Sequence, residues 1–321
     1  MPKYNKLMLG NKARELGFAR DAFEKMSRLT EILQYVSADS ELNSLLALKG
    51  GTAINLALFE LPRLSVDIDL DLAENLSKEE TADTRIRIRE LLDRYMEAEG
   101  YTLGNKTRHS YVLDAFICSY INAAGNNDNI KIDINYIQRC HVLPTTMLVT
   151  RTGGAFPVFS IRTLHPIEIF AGKINALLTR GAARDLFDVN MMIKSVPFDK
   201  EELTLLRKCV VYYCAISGNA ANEISFKIMD AITERNIRTS LSQMTRNTEK
   251  LDFESVKSQV SSYLSDYLVL SDKESSFLKW FHAGRYEPQL LFDDPEIIKR
   301  IENHPMVKWR LQHIQERKDE R

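Results

Sequence analysis

Apolar residues recur at helical spacing near the start of the chain. Over residues 11–36, Leu16, Phe18, Phe23, Met26, Leu29, Ile32 and Leu33 mark one face, which predicts an amphipathic helix. The period then changes. LLALKGG (45–51) reads as a short buried strand running into a glycine turn, and Thr52 opens an apolar helix to about Phe59. SVDIDLDLAE (65–74) alternates acidic with aliphatic residues, the period-two pattern of a strand. Residues 78–99 return to helix. YVLDAFICSYI (111–121) and IKIDINYIQ (130–138) are strand-like and separated by Asn, Gly and Asp residues suited to turns, so they predict an antiparallel hairpin. VTRTGGAFPV (149–158) reads as a loop. His165 and Pro166 lead into a helix whose register is marked by Ile167, Phe170, Ile174, Leu177 and Leu178. From about residue 199 the pattern is mostly helical, with a late loop at AGRYEP (283–288). The expected fold class is α/β (α+β), with one domain over 1–195 and a helical domain over 196–321.

Bulk properties narrow the function classes. A formal net charge of −1 gives no global attraction to nucleic acid or anionic membranes, so any contact with RNA must come from a local basic patch. Cys118, Cys140, Cys209 and Cys214 form no C-x-x-C pair and have no histidine at zinc-ligand spacing, which argues against a disulfide framework and for a reducing compartment. No apolar run approaches the ~20 residues of a membrane helix, and the N-terminal stretch has no signal-peptide core. The expected location is the cytoplasm, without membrane contact.

Three features carry candidate chemistry. Lys49-Gly50-Gly51-Thr52 joins a strand to a helix start, where glycines allow close backbone approach and free N–H groups suit phosphate. Taken alone it reads more readily as a tight turn with Thr52 as N-cap. Asp67 and Asp69 share one strand face, with Asp71 one pleat further. Carboxylates so placed repel one another, and a divalent cation such as Mg²⁺ or Mn²⁺ resolves the repulsion. A solvated acidic edge strand has the same pattern. Asp133, in KIDIN (131–135), would supply a third carboxylate if its strand lies beside that of Asp67 and Asp69, and would otherwise be an exposed polar position.

Glycine turn, Asp-x-Asp on a strand and a later strand aspartate follow in the order found in polymerase-β-like nucleotidyltransferases. More fully, LKGGTAINLALFELPRLSVDIDLDL (48–72), IEIFAGKINALLTRGAARDLFDV (167–189) and FHAGRYEPQLLF (281–292) resemble the AbiEii-type toxins of toxin–antitoxin and abortive-infection (phage-defence) systems. The resemblance implies a polymerase-β-like core with a C-terminal helical region. It also implies transfer of NMP from an NTP to an acceptor hydroxyl, with the tRNA 3′ end as acceptor, and a cognate antitoxin as partner. By the same resemblance Lys49, Gly50, Gly51 and Thr52 hold the triphosphate and Asp67 and Asp69 bind metal. Asp133 completes the metal site and helps deprotonate the acceptor. Lys173 and Asp185 fall in later motifs for nucleotide binding and catalysis, with Arg184 beside them. Two departures stand out: the Gly51–Asp67 gap is longer than in many members, and Gly172 occupies a position where many carry Glu.

The residues themselves leave room for blander roles. Lys173 interrupts an apolar register and reads either as a cation for the triphosphate or as a snorkelling surface lysine. Asp185 follows a Gly-Ala-Ala turn and reads also as an N-cap. Arg162, Arg180 and Arg184 flank the Lys173 helix as a candidate RNA patch, whereas Arg85, Arg87 and Arg89 read as a solvated face. Rival functions are a nucleotide-binding interaction protein without transfer activity, a protein-modifying nucleotidyltransferase, and a metal-dependent nuclease, which has no use for a triphosphate cradle.

Overall fold

The apolar positions that predict one helix over 11–36 fall on two. In the computed structural model, which describes residues 4–195, 197–218, 224–246 and 252–319, α1 (Lys6–Leu16) ends at Gly17, whose φ of 80° places it in the left-handed region. Helix α2 (Arg20–Ala38) follows and buries Phe23, Met26, Leu29, Ile32, Leu33 and Val36 along one stripe. Leu16 and the buried Phe18 carry the apolar spacing of α2 back across Gly17 and so conceal the break.

These helices belong to the first of two compact units, which comprises Met1–Arg139, Thr145–Leu164 and Leu241–Lys250. Its core is a mixed sheet of eight strands: β1 (Leu46–Lys49), β2 (Asp67–Leu72), β3 (Thr102–Leu103), β4 (Arg108–His109), β5 (Leu113–Ile121), β6 (Asn127–Asn135), β7 (Thr146–Val149) and β8 (Ser160–Thr163). Their order is β3-β5-β6-β2-β1-β8-β7, with β4 also on β5. The expected hairpin is present as the antiparallel β5–β6 pair. The short strands β7 and β8 flank the predicted 149–158 loop, of which Val149 ends β7. Helix α3 (Ser40–Leu45) is capped by the Asp39 side chain and leads directly into β1. Helix α4 (Gly50–Ala53) starts two residues before Thr52 and continues as a π-helical turn, Ile54–Leu58. The long connection to β2 then passes through buried Leu61, whose φ of 54° is unusual for a side-chain-bearing residue.

Helix α5 (Lys78–Ala98) begins with a capping box between Ser77 and Glu80. The expected solvated arginine face is corrected for Arg85 and Arg89, while Arg87 stays exposed. Arg89 donates to the buried Asp114 through Nε at 2.7 Å, Arg85 lies 3.3 Å from the same carboxylate, and Arg87 pairs instead with Glu41 at 2.9 Å. His109 and the Tyr136 hydroxyl complete the shell at 3.0 and 2.9 Å. Burial opposes ionisation of Asp114, but the bonds from Arg89 and Tyr136 outweigh it and hold the carboxyl below its usual range. The alternation on β5 leaves Asp114 facing inward, so its charge draws the arginines to it.

The second unit comprises Cys140–Pro144, His165–Ser240 and Leu251–Arg321. It is helical: α6 (Pro166–Arg180), α7 (Ala183–Ser195), α8 (Lys200–Ser217), α9 (Glu234–Ser240), α10 (Phe253–Tyr267), α11 (Asp272–His282), α12 (Pro295–Ile301) and α13 (Pro305–Asp319). His165 caps α6 by accepting from the Ile167 N–H, and Pro166 occupies the first turn. Buried Glu168 accepts from the backbone N–H groups of Val142 and Leu143 at 2.9 and 2.8 Å, which ties the 140–144 segment to this unit. Helices α6 and α7 group with the later helices, whereas the sequence boundary at 195/196 puts them with the sheet; Val196 lies outside the described residues. Among the described residues no helix is long and apolar enough to cross a membrane.

Candidate active site

Strand register assembles the acidic face. Strand β2 pairs antiparallel with β1, placing Lys49 opposite Asp69, and parallel with β6, placing Asp69 opposite Asp133. Lys49, Asp69 and Asp133 therefore form one rung across three strands. Asp67 stands opposite Lys131 on the next rung, and Asp71 opposite Asn135 on the one before. Paired residues on neighbouring strands share a face at a spacing of about 4.8 Å. The sequence condition for a third carboxylate is thus met: the Asp133 strand lies beside that of Asp67 and Asp69.

Two lysines pair with acids of this face. Lys49 Nζ lies 2.6 Å from buried Asp71 and donates to Gln138 Oε1 at 3.0 Å. Lys131 donates to Asp133 Oδ2. Burial weighs against the Lys131 ammonium, but its bond to Asp133 and the nearby Asp67 and Asp69 raise its pKa above the usual lysine value. Four aspartates against two lysines leave a formal surplus of two negative charges. Asp133 Oδ1 is buried and accepts no hydrogen bond. Both features fit a divalent cation. Among the described residues, no three His, Cys, Asp or Glu side chains are already arranged to hold a metal.

Gly50 closes the site from the β1 side. Its φ is +69°, and a Cβ added there would lie 2.5 Å from Asp69 Oδ2 and 3.2 Å from Asp69 Cβ. Backbone at Gly50 thus approaches the Asp69 carboxylate more closely than any side-chain-bearing residue allows. Gly51 and Thr52 continue the first helical turn, whose N–H groups have no intrahelical acceptor. The Thr52 side chain is in a different role from that expected. It is fully buried, and its hydroxyl engages Ser65 Oγ at 2.7 Å and the Asp67 carbonyl. Nor is it the N-cap, a position held by Lys49. Thr52 ties the turn to the start of β2.

In the second unit Lys173 is buried, not snorkelling. Its Nζ lies 2.9 Å from Asp185 and 3.2 Å from Asp188, both fully buried. Arg180 adds a 2.7 Å bond to Asp185 from a side chain that is 62% exposed. Asp185 lies within the first turn of α7, not at its cap. Burial works against its charge, but Lys173 and Arg180 hold the carboxyl below the ordinary range. Arg184 follows Ala183 in that turn. Arg162 belongs to the first unit, where it donates to the Asn43 carbonyl at 2.8 Å and to Thr145 Oγ1 at 3.2 Å. Of the three arginines expected to form a patch, Arg162 is thus bonded within the first unit and Arg180 is paired with Asp185 in the second.

Sequence reasoning missed Lys131, the Lys49–Asp71 pair, Gln138 and the Asp188 contact. Lys131 had a signal, being two residues before Asp133 on a predicted strand. The others depend on register between distant segments.

The same substitution at two glycines should act with opposite sign. Gly50→Ala forces a left-handed φ and a clash with Asp69, and should cost about 1–3 kcal/mol. Gly172 is exposed within α6, and an added Cβ meets nothing within 4 Å. Gly172→Ala should therefore stabilise by about 0.5–1 kcal/mol. Urea unfolding of both variants checks the pair.

The family model described as "Nucleotidyl transferase AbiEii toxin, Type IV TA system" matches residues 31–264, a span that includes the acidic strands and the Lys173–Asp185 helices. No curated protein matches the chain. Among solved structures, MenT4, a nucleotidyltransferase toxin from Mycobacterium tuberculosis H37Rv, aligns with a TM-score of 0.64 at 16% identity. The alignment covers 95% of this chain and 99% of that one, a likeness of fold. The CdnC:HORMA-deltaN complex of E. coli MS115-1 aligns over 94% of this chain and 98% of that one at 13% identity. Its TM-score is 0.27.

Proposed function

Because the chain belongs to the AbiEii family of nucleotidyltransferase toxins of type IV toxin–antitoxin systems, we propose that it transfers NMP from an NTP to an acceptor hydroxyl with a divalent cation, Mg²⁺ or Mn²⁺. The observation that carries this reading is the Asp69–Asp133 rung, with two surplus negative charges on its face and the Gly50 backbone against Asp69.

Asp67, Asp69 and Asp133 would hold the cation, which when bound neutralises carboxylates and phosphates brought to one place. The first-turn N–H groups of Gly50, Gly51 and Thr52 receive phosphate oxygens. Lys49 orients the strand through Asp71 and adds positive charge beside the cradle. Asp133 takes the acceptor hydroxyl's proton. The acceptor oxygen bonds to the α-phosphorus, the α–β bridging bond breaks, and pyrophosphate leaves. Lys173, which pairs with Asp185 and Asp188, and Arg184 contribute to nucleotide binding. Residues 1–195 form the nucleotidyltransferase domain on this reading, and 196–321 a C-terminal helical domain. The acceptor is the 3′ end of a tRNA, the setting is abortive infection in the cytoplasm, and the partner is a cognate antitoxin.

Pyrophosphate release should require NTP, divalent cation and RNA together. A nucleotide-binding protein without transfer activity is the second reading. It is favoured by the lysines that already pair with Asp71 and Asp133. NTP binding with no pyrophosphate under any acceptor would select it.

A further inference from the structure

Lys131 has no part in the chemistry above, yet it stands inside the acidic face. It is opposite Asp67 on the parallel β2–β6 pair and two residues before Asp133, so it leaves the sheet on the same side as both. Its ammonium bonds to Asp133 Oδ2. The two lysines of this face are held differently. Lys49 has Asp71 and Gln138 as partners and a side chain 22% exposed. Lys131 has one hydrogen-bonded carboxylate, and its side chain is 42% exposed, against 19% for Asp133. Lys49 is clamped, whereas Lys131 has an open path to solvent.

Carboxylates on adjacent rungs of one face repel, and a single ammonium relieves that repulsion only in part. A divalent cation relieves it more fully but, because Asp133 Oδ1 is buried, reaches that carboxylate from solvent through Oδ2, the oxygen that Lys131 holds. We propose that Lys131 is a displaceable counter-ion. It stabilises the acidic strands while the metal is absent, and it must swing away for the metal to bind. It thereby sets the cation concentration at which the site assembles. This rests on reading Asp67, Asp69 and Asp133 as metal ligands. When the binding-competent state requires displacement of an internal partner, apparent affinity falls by the fraction of molecules in that state.

The test is Mn²⁺ binding to the full chain without nucleotide, by calorimetry and by electron paramagnetic resonance at fixed ionic strength. Lys131→Met should bind Mn²⁺ roughly 10-fold more tightly than wild type, the scale of a modest coupling between two ligands. Lys131→Gln serves as a second uncharged variant should the Met form fold poorly. Lys131→Arg should bind no more tightly than wild type. The exposed Lys106→Gln removes the same charge elsewhere on this unit and should leave affinity unchanged. Without metal, Lys131→Met should melt below wild type, and saturating Mn²⁺ should close that gap. Equal or weaker Mn²⁺ binding in folded Met and Gln variants overturns the counter-ion role while leaving the metal reading intact. No Mn²⁺ binding by wild type or any variant overturns both.

Discussion

Asp69→Ala should lower the rate of nucleotidyl transfer by roughly 10³-fold or more, the scale set by loss of a principal charge-stabilising group, in a protein that remains folded. Asp69 is the centre of the site: it shares a rung with Lys49 and Asp133, and Gly50 packs against its carboxylate. Removing it takes away a proposed metal ligand and one of four acids that repel across this face, so stability should hold or rise. Asp71→Ala, on the same alternating strand, should behave differently. Its carboxylate is buried against Lys49, so its loss should lower the melting temperature in addition to any effect on turnover. Steady-state pyrophosphate release and thermal melts on both variants separate the two cases. Wild-type turnover by Asp69→Ala contradicts the metal assignment.

The largest stability effect is expected at Lys173. Its ammonium lies between Asp185 and Asp188, and both acids are fully buried. Lys173→Met leaves those carboxylates without their shared cation, which should cost about 3–5 kcal/mol at neutral pH. Arg180 still reaches Asp185, though its exposure weakens that compensation. The pH dependence has a definite sign. In the wild type the Asp185 carboxyl is held below its ordinary value, so its stabilising contribution is present above the unfolded value and lost as pH falls through the depressed one. In Lys173→Met, burial without the lysine favours the neutral form of Asp185, so protonation relieves the variant. The stability gap should be widest at neutral pH and narrow as pH falls toward the ordinary carboxylate value near ~4. Adding Asp185→Asn and Asp188→Asn to Lys173→Met should recover much of the loss. Urea unfolding across pH measures all of this.

Local periodicity made much of the fold legible. The acid–aliphatic alternation of 67–72, the 113–135 hairpin and the glycine turn after β1 each have a pattern confined to a few neighbouring residues. What escaped was non-local or too short. Strands β7 and β8 have four residues each, insufficient to set a period, and the helix break at Gly17 lies within a continuous apolar stripe. The parallel register that sets Asp69 beside Asp133 joins segments some sixty residues apart, and no local pattern encodes it. For the same reason Lys131, Asp188 and the inward-facing Asp114 acquire meaning only once their neighbours are known. Thr52 shows the converse, since its residue type suits a phosphate donor while its burial gives its hydroxyl to Ser65 and Asp67.

The most direct test of the central claim is label transfer to RNA. Purified protein, Mg²⁺ and total cellular RNA would be incubated with each NTP in turn, carrying its label at either the α- or the γ-phosphate. The account predicts that α-label from at least one NTP becomes attached to RNA. The corresponding γ-label should leave as pyrophosphate, and Asp69→Ala should do neither. Transfer of the γ-label, or no transfer of α-label from any of the four nucleotides, would contradict it.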